Sequence, residues 1–205
     1  MRIALVNTTM ATQKDAKKLK FLMEARQAPG ANKEQIDAEI YSKFGYIQAI
    51  MFTDLAGFTK TTEDYGILHF LQLIQASEEL FMPIITKYGG TCLQHQGDSL
   101  LIVFDDAPSA LDAAIEMGNI ADETNKSKPI EDRIYVYIGM GYGLVLKIDD
   151  KDVWGSEVNR ASKLLNLAES GEILVTENFE RAVPDATFQR IKNLYGKKTY
   201  IFIKK

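Results

Sequence analysis

Asp54 follows Ile50-Met51-Phe52-Thr53, which read as the end of a buried strand, and opens the turn Leu55-Ala56-Gly57; Asp98 follows Gly97 in a short polar break between two further runs. Brought together at one sheet end, the two carboxylates would repel each other and raise a pKa unless a cation sat between them. The pair therefore points to a Mg²⁺ or Mn²⁺ centre held by oxygen ligands. Singly, each has an ordinary use, Asp54 as a helix cap and Asp98 as a turn former. After Asp54, the stretch "AGFTKTT" places Gly57, Phe58 and Thr59 at a helix start. Backbone N–H groups and the helix dipole there can cradle a triphosphate. Farther on, Asn159, Lys163 and Asn166 recur at i, i+4 and i+7 on one helical stripe, with Val158, Ala161, Leu165 and Ala168 on the apolar one. A polar stripe is more often a solvated face, so spacing alone assigns it no chemistry.

The elements that must position these residues can be read from periodicity. Ile47 to Phe52 form a mostly apolar strand, and Ile67 to Tyr88 carry a helical repeat that stops at Gly89-Gly90. "TCLQHQGDSLLIVF" predicts two strands around Gly97-Asp98, with Gly97 at the first central position of a type II′ turn. Asp106 and Pro108 start an alanine-rich helix that runs to about Thr124. The long strand "RIYVYIGMGYGLVL" puts Gly139, Gly141 and Gly143 on one face. Position 144 is leucine and no helix opens there, so these glycines are not a dinucleotide loop; they let something approach the strand closely. A helix from Ser156 to about Ala168, the strand "EILV", a short helix and the strand "KTYIFI" complete the chain. The order β-α-β-β-α-β with C-terminal additions is the split βαβ pattern. The expected fold is α+β, ferredoxin-like, with a mostly antiparallel sheet, and it lays the first strand beside the hairpin so that Asp54 and Asp98 can meet.

Upstream, "APGAN" separates two helical segments, Thr12 to Gln27 and Asn32 to Phe44, so residues 1–45 are read as a helical extension and 46–205 as the main domain. At 205 residues and 46% hydrophobic content the chain can bury one sizeable core. A net charge of -4 leaves no basic footprint for nucleic acid. The single cysteine, Cys92, excludes an internal disulfide and fits a reducing compartment. No apolar stretch approaches the ~20 residues needed to span a bilayer, and the cytoplasm is the expected location.

From about Tyr46 onward the chain resembles the catalytic domain of the class III nucleotide cyclases, the adenylate/guanylate cyclase family. "IMFTDLAGFT", "HQGDSLLIVF" and "DVWGSEVNRASKL" carry the likeness in the right order, with "GEILVTENF" in support. The resemblance implies that Asp54 and Asp98, with the Leu55 carbonyl, hold two Mg²⁺ or Mn²⁺ ions, that Asp152 reads the base and that Asn159 orients the ribose. It implies a homodimer with each site shared between subunits. It further implies intramolecular phosphoryl transfer, in which the ribose 3′-hydroxyl of a nucleoside triphosphate attacks the α-phosphorus and pyrophosphate leaves.

Two positions depart from the family pattern. Gln94 stands where adenylate cyclases carry a base-reading lysine, and Lys163 where the family carries an arginine. Lysine keeps the charge but loses the bidentate fork. Lys192, Lys197 and Lys198 are all candidates for the family's phosphate-binding lysine. Both histidines, His69 and His95, fall outside the matched positions, and His69 reads as a packing residue. An ionised Asp152 can only accept and Gln94 can donate, which fits the amine and ring nitrogen of adenine, and equally of cytosine. ATP is the first expected substrate and a pyrimidine nucleotide the alternative. A second reading is a cyclase-like module that binds nucleotide and regulates a partner without turnover.

Overall fold

The computed structural model describes residues 2–148, 152–194 and 196–203; within these, the side chains of 2–14, 58–60, 192 and 194 lie outside the description. Two helices, α1 (Arg2–Gln27) and α2 (Lys33–Phe44), precede strand β1 (Gly45–Leu55). Then follow α3 (Phe58–Tyr65), α4 (Ile67–Lys87), β2 (Thr91–Gln96), β3 (Ser99–Phe104), α5 (Ala107–Asn125), β4 (Val136–Lys147), β5 (Val153–Trp154), α6 (Ser156–Leu165), β6 (Ile173–Thr176), α7 (Glu177–Ala182), β7 (Phe188–Leu194) and β8 (Lys197–Phe202).

The described strands form one sheet in the order β2-β3-β1-β4-β6-β8-β7, with β5 added to β4. The first four are antiparallel neighbours, and β4 and β6 are the parallel pair. This is the expected ferredoxin-like core, extended on one side by the C-terminal strands.

Register decides which face each residue takes. Ala49, Met51, Leu100, Ile102, Phe104, Ile138 and Met140 face α4 and α5 in the larger core. Ile50, Leu101, Val103 and Val145 face the other way and pack with Val153, Val158 and Ala161. On that second face Gly139, Gly141 and Gly143 have their purpose: α6 lies directly on them. A Cβ added at Gly139 would come within 2.9 Å of the Leu165 nitrogen, and one at Gly141 within 2.7 Å of the Glu157 carbonyl oxygen. The close approach read from the glycine stripe is that of helix backbone to strand.

Several boundaries differ from the sequence reading. α1 starts at Arg2 rather than Thr12; Asn7, Thr8, Thr9 and Thr12, all of low helix propensity, hide its first turns in the sequence. α6 stops at Leu165, so Ala168 falls beyond it, and the buried positions are Glu157, Val158, Ala161 and Leu164, with Leu165 only half-buried. β5 and β7 were not expected; the first is two residues long and the second alternates weakly.

α1 and α2 form a hairpin around Leu22, Ile40 and Phe44, against which Leu146 of β4 packs. Ion pairs Lys18–Glu39 (2.7 Å), Arg26–Asp37 (2.5 Å) and Lys43–Asp15 (3.0 Å) run along it. No described helix is long and apolar enough to cross a membrane.

Candidate active site

Asp54 is the last polar residue of β1. Its side chain shares the α6 face of the sheet with Ile50 and Phe52, since alternate strand residues share a face. It does not cap α3: the N-cap is Gly57, at φ +89°, with no side-chain cap hydrogen bond among the described residues. The positive φ suits glycine, and it turns the chain so that the first amides of α3 open just after Asp54 and Leu55. Phe58 and Thr59 begin that helix, although their side chains lie outside the description.

Asp98 occupies the turn between β2 and β3 next to Gly97, whose φ of +63° fits the positive value expected at the first central position. Antiparallel pairing of β1 with β3 carries this turn to the end of β1. There Asp98 meets Asp54, and burial followed by the Asp54 charge pushes the Asp98 carboxyl up to about 6. The adjacent Ser99 donates its hydroxyl to Asp54 Oδ1 at 2.8 Å. All the donors here are oxygens, and two partly buried carboxylates brought this close fit a hard divalent cation.

A second pair lies on the same face. Gln94 Nε2 donates to Asp152 Oδ1 at 2.6 Å, joining β2 to the residue just before β5. Gln94 reaches this face because β2 carries a bulge between Cys92 and Gln94: Cys92 opposes Ile102, Gln94 opposes Leu101, and Leu93 is the extra residue.

Asn159 and Lys163 are exposed on α6, one turn apart. The helix is fastened beneath them by Glu157, 2% exposed, which accepts from Thr176 Oγ1 (2.6 Å), Asn178 Nδ2 (3.0 Å) and the Arg160 guanidinium. A buried carboxylate is tolerated only with partners of this kind. Lys197 and Lys198 line a polar cavity of about 290 Å³ beside this network, with Arg160, Thr176 and Arg181. Lys198 pairs with Glu177 at 3.0 Å. Lys192 lies on β7, and its side chain is outside the description.

The described structure thus brings Asp54 to Asp98 and Gln94 to Asp152, on the sheet face that also carries α6. Sequence reasoning missed Ser99 and Glu157. Ser99 could have been found by counting the β1–β3 register back from the turn. Glu157 could not, because an acid in the first turn of a helix ordinarily faces solvent and favours the helix dipole. His69, read as packing, bonds through Nε2 to the Glu131 carbonyl at 2.8 Å. His95 Nε2 lies 2.9 Å from the Gly97 carbonyl and 2.6 Å from Glu78 of α4.

Comparison with known proteins adds an independent line. The model of the adenylate and guanylate cyclase catalytic domain matches residues 42–199. The serine/threonine-protein kinase pkn2 of Myxococcus xanthus is 28% identical over 140 residues, covering 67% of this chain and 17% of that protein. An adenylate cyclase of Streptomyces coelicolor is 28% identical over 152 residues, covering 73% of this chain and 35% of the relative. The chain therefore spans only a minor part of the length of these relatives. Among solved structures, the adenylate/guanylate cyclase/hydrolase of Silicibacter pomeroyi superposes with a TM-score of 0.69 at 25% identity, covering 78% of this chain and 98% of that one.

Proposed function

Since the chain belongs to the adenylate and guanylate cyclase catalytic domain family, we propose that it converts a nucleoside triphosphate, ATP first, to a 3′,5′-cyclic nucleotide and pyrophosphate at sites shared between two copies. The single observation that carries this reading is the convergence of Asp54 and Asp98 from separate strands on one sheet end. In this proposal residues 46–205 form the catalytic domain, and residues 1–45 a helical extension against which Leu146 of β4 packs.

Asp54, Asp98 and the Leu55 carbonyl would hold two Mg²⁺ or Mn²⁺ ions. When bound, such ions supply a lowered pKa for the attacking hydroxyl and charge neutralisation for the phosphates. The rest of the work falls to the chain itself. The amides of Gly57, Phe58 and Thr59 at the start of α3 point their N–H groups at triphosphate oxygens. Gln94 and Asp152 bind the base edge as a hydrogen-bonded unit, donor beside acceptor, which suits adenine and leaves cytosine as the alternative. Asn159 orients the ribose so that the 3′-oxygen lies in line with the α-phosphorus. Lys163 meets negative charge that develops as pyrophosphate departs, and Lys197 or Lys192 holds the outer phosphates. Every bond made or broken is in the nucleotide, so catalysis is positioning and electrostatics, with no side-chain nucleophile.

The deciding experiment is incubation of the purified protein with each of the four triphosphates and Mn²⁺ or Mg²⁺, with chromatography for cyclic products. A cyclic product from ATP is expected. Tight nucleotide binding without product under any condition would instead establish the regulatory-module reading, for which Gln94 and Lys163, the two departures from the family pattern, are the specific support.

A further inference from the structure

We propose that Ser99 is a positioning residue for the metal centre, fixing the rotamer of Asp54 so that its carboxylate is set for a divalent cation before the ion arrives. This rests on the metal reading of Asp54 and Asp98 given above, and it extends that reading to a residue that does not itself touch the ion.

The argument begins with strand register. Thr53 pairs with Leu100, so Asp54 and Ser99 are the next partners in the β1–β3 ladder, and directly opposed residues of antiparallel strands point to the same face. On its other side Asp54 opposes Tyr137 of β4. The carboxylate is therefore flanked on both sides at the point where β1 ends. Its Oδ1 accepts the Ser99 hydroxyl at 2.8 Å, and an ionised carboxylate can only accept, so the serine is the donor.

That one bond matters because of what it removes. The terminal torsion of an aspartate is broad, without sharp staggered wells, so an unheld carboxylate samples many orientations. An ion binding to such a group must first select among them, whereas one binding to a held group does not. A carboxylate offers about four lone-pair sites. The serine takes one of these on Oδ1 and leaves acceptor capacity on both oxygens, so holding the group does not block coordination.

Ser99 is also the residue immediately after Asp98. The turn set by Gly97 at φ +63° therefore delivers the second carboxylate and the hydroxyl that orients the first as one rigid pair. Asp98 and Asp54 are placed relative to each other twice over, once through the backbone ladder and once through the Ser99 side chain. Alanine at 99 would preserve the ladder and lose only the side-chain link.

Mn²⁺ titration of the full chain, followed by the loss of the free-ion paramagnetic resonance signal, tests this without reference to turnover. Loss of a hydrogen-bonding partner behind a metal ligand typically weakens metal binding roughly 10–100-fold. Ser99→Ala should accordingly raise the Mn²⁺ dissociation constant by about tenfold or more, while Ser99→Thr, which keeps the hydroxyl, should stay close to wild type. Asp54→Ala supplies the baseline of a lost ligand. A purely structural serine would change the urea midpoint and leave Mn²⁺ affinity of the folded protein where it was. Wild-type affinity in Ser99→Ala, or equal weakening in Ser99→Thr, overturns the proposal while the metal reading stands. If the wild-type chain itself takes up no Mn²⁺ with or without ATP, the metal reading falls, and the role of Ser99 falls with it.

Discussion

Gln94 and Asp152 stand 58 positions apart in sequence, yet the amide of one donates to the carboxylate of the other at 2.6 Å. Two side chains that share a hydrogen bond act on a bound base as one group, so their contributions should not add. A hydrogen bond to a charged group contributes about 1.5–3 kcal/mol. Asp152→Ala and Gln94→Ala should each lower kcat/KM for the preferred nucleotide, and the double variant should lose less than the sum. A coupling of about 0.5–3 kcal/mol is expected for residues in contact. Strictly additive losses in the four kcat/KM values would show that the two read the base separately.

The meeting of Asp98 with Asp54 makes stability depend on pH with a definite sign. Folding raises the Asp98 carboxyl from 3.8 to about 6, so the folded state holds this proton more tightly than the unfolded chain does. By linkage the group makes no difference to stability below its unfolded pKa. Its destabilising effect then grows as pH rises from about 4 to about 6 and is complete above that. In EDTA the urea midpoint of wild type minus that of Asp98→Asn should therefore decline across this window. If Mn²⁺ binds the ionised pair, as proposed, adding it should reverse the slope. A flat difference in EDTA would show that Asp98 does not feel Asp54 in solution.

A site shared between copies can be divided between inactive chains. Asp54→Ala and Asn159→Ala alter residues on β1 and α6, which the proposed dimer would contribute from opposite subunits. Each variant alone should be inactive. Mixed after subunit exchange, they should regain up to about half the wild-type activity per heterodimer, since one of its two sites would be intact. Failure to recover any activity despite exchange, followed by mass spectrometry of labelled subunits, would argue for a site made within one chain.

Lys163 lies one helical turn beyond Asn159 on the exposed side of α6. If it acts on charge that develops while pyrophosphate leaves, Lys163→Ala should lower kcat more than it raises KM, because the interaction is made chiefly in the transition state. Lys163→Arg should hold or raise the rate, since a guanidinium engages two oxygens together. Initial rates with Mn²⁺ and the best triphosphate settle the matter: equal kcat in all three proteins removes Lys163 from the mechanism.

Much of this arrangement was legible in the chain because it depends on short-period patterns. The Gly97 turn, the Asp106 cap of α5 and the glycine stripe of β4 each announce themselves within a few residues. Asp54 and Asp98 could be paired from topology alone, since a split βαβ core leaves the first strand beside the hairpin. What escaped was set by tertiary context. Glu157 looks like a solvated helix residue until Thr176 and Asn178, which follow it by 19 and 21 positions, close over it. α1 has hardly any apolar repeat of its own, and its second half is held by Leu22 and by ion pairs to α2. β5, with only two residues, exists because β4 is there to pair with it.

The bulge in β2 acts as a frameshift in strand pairing. Before it, Cys92 opposes Ile102 and packs toward α4 and α5; after it, Gln94 opposes Leu101 and points to the opposite face. Remove Leu93 and keep the hairpin turn, and the bulge simply closes: Cys92 still opposes Ile102 and Gln94 still opposes Leu101. Remove a residue on the turn side instead, and Gln94 moves to the place opposite Leu100 that His95 holds, on the other face of the sheet and away from Asp152. The effect of a one-residue deletion in this strand thus depends on where it falls, and only on the turn side of Leu93 does it part Gln94 from Asp152.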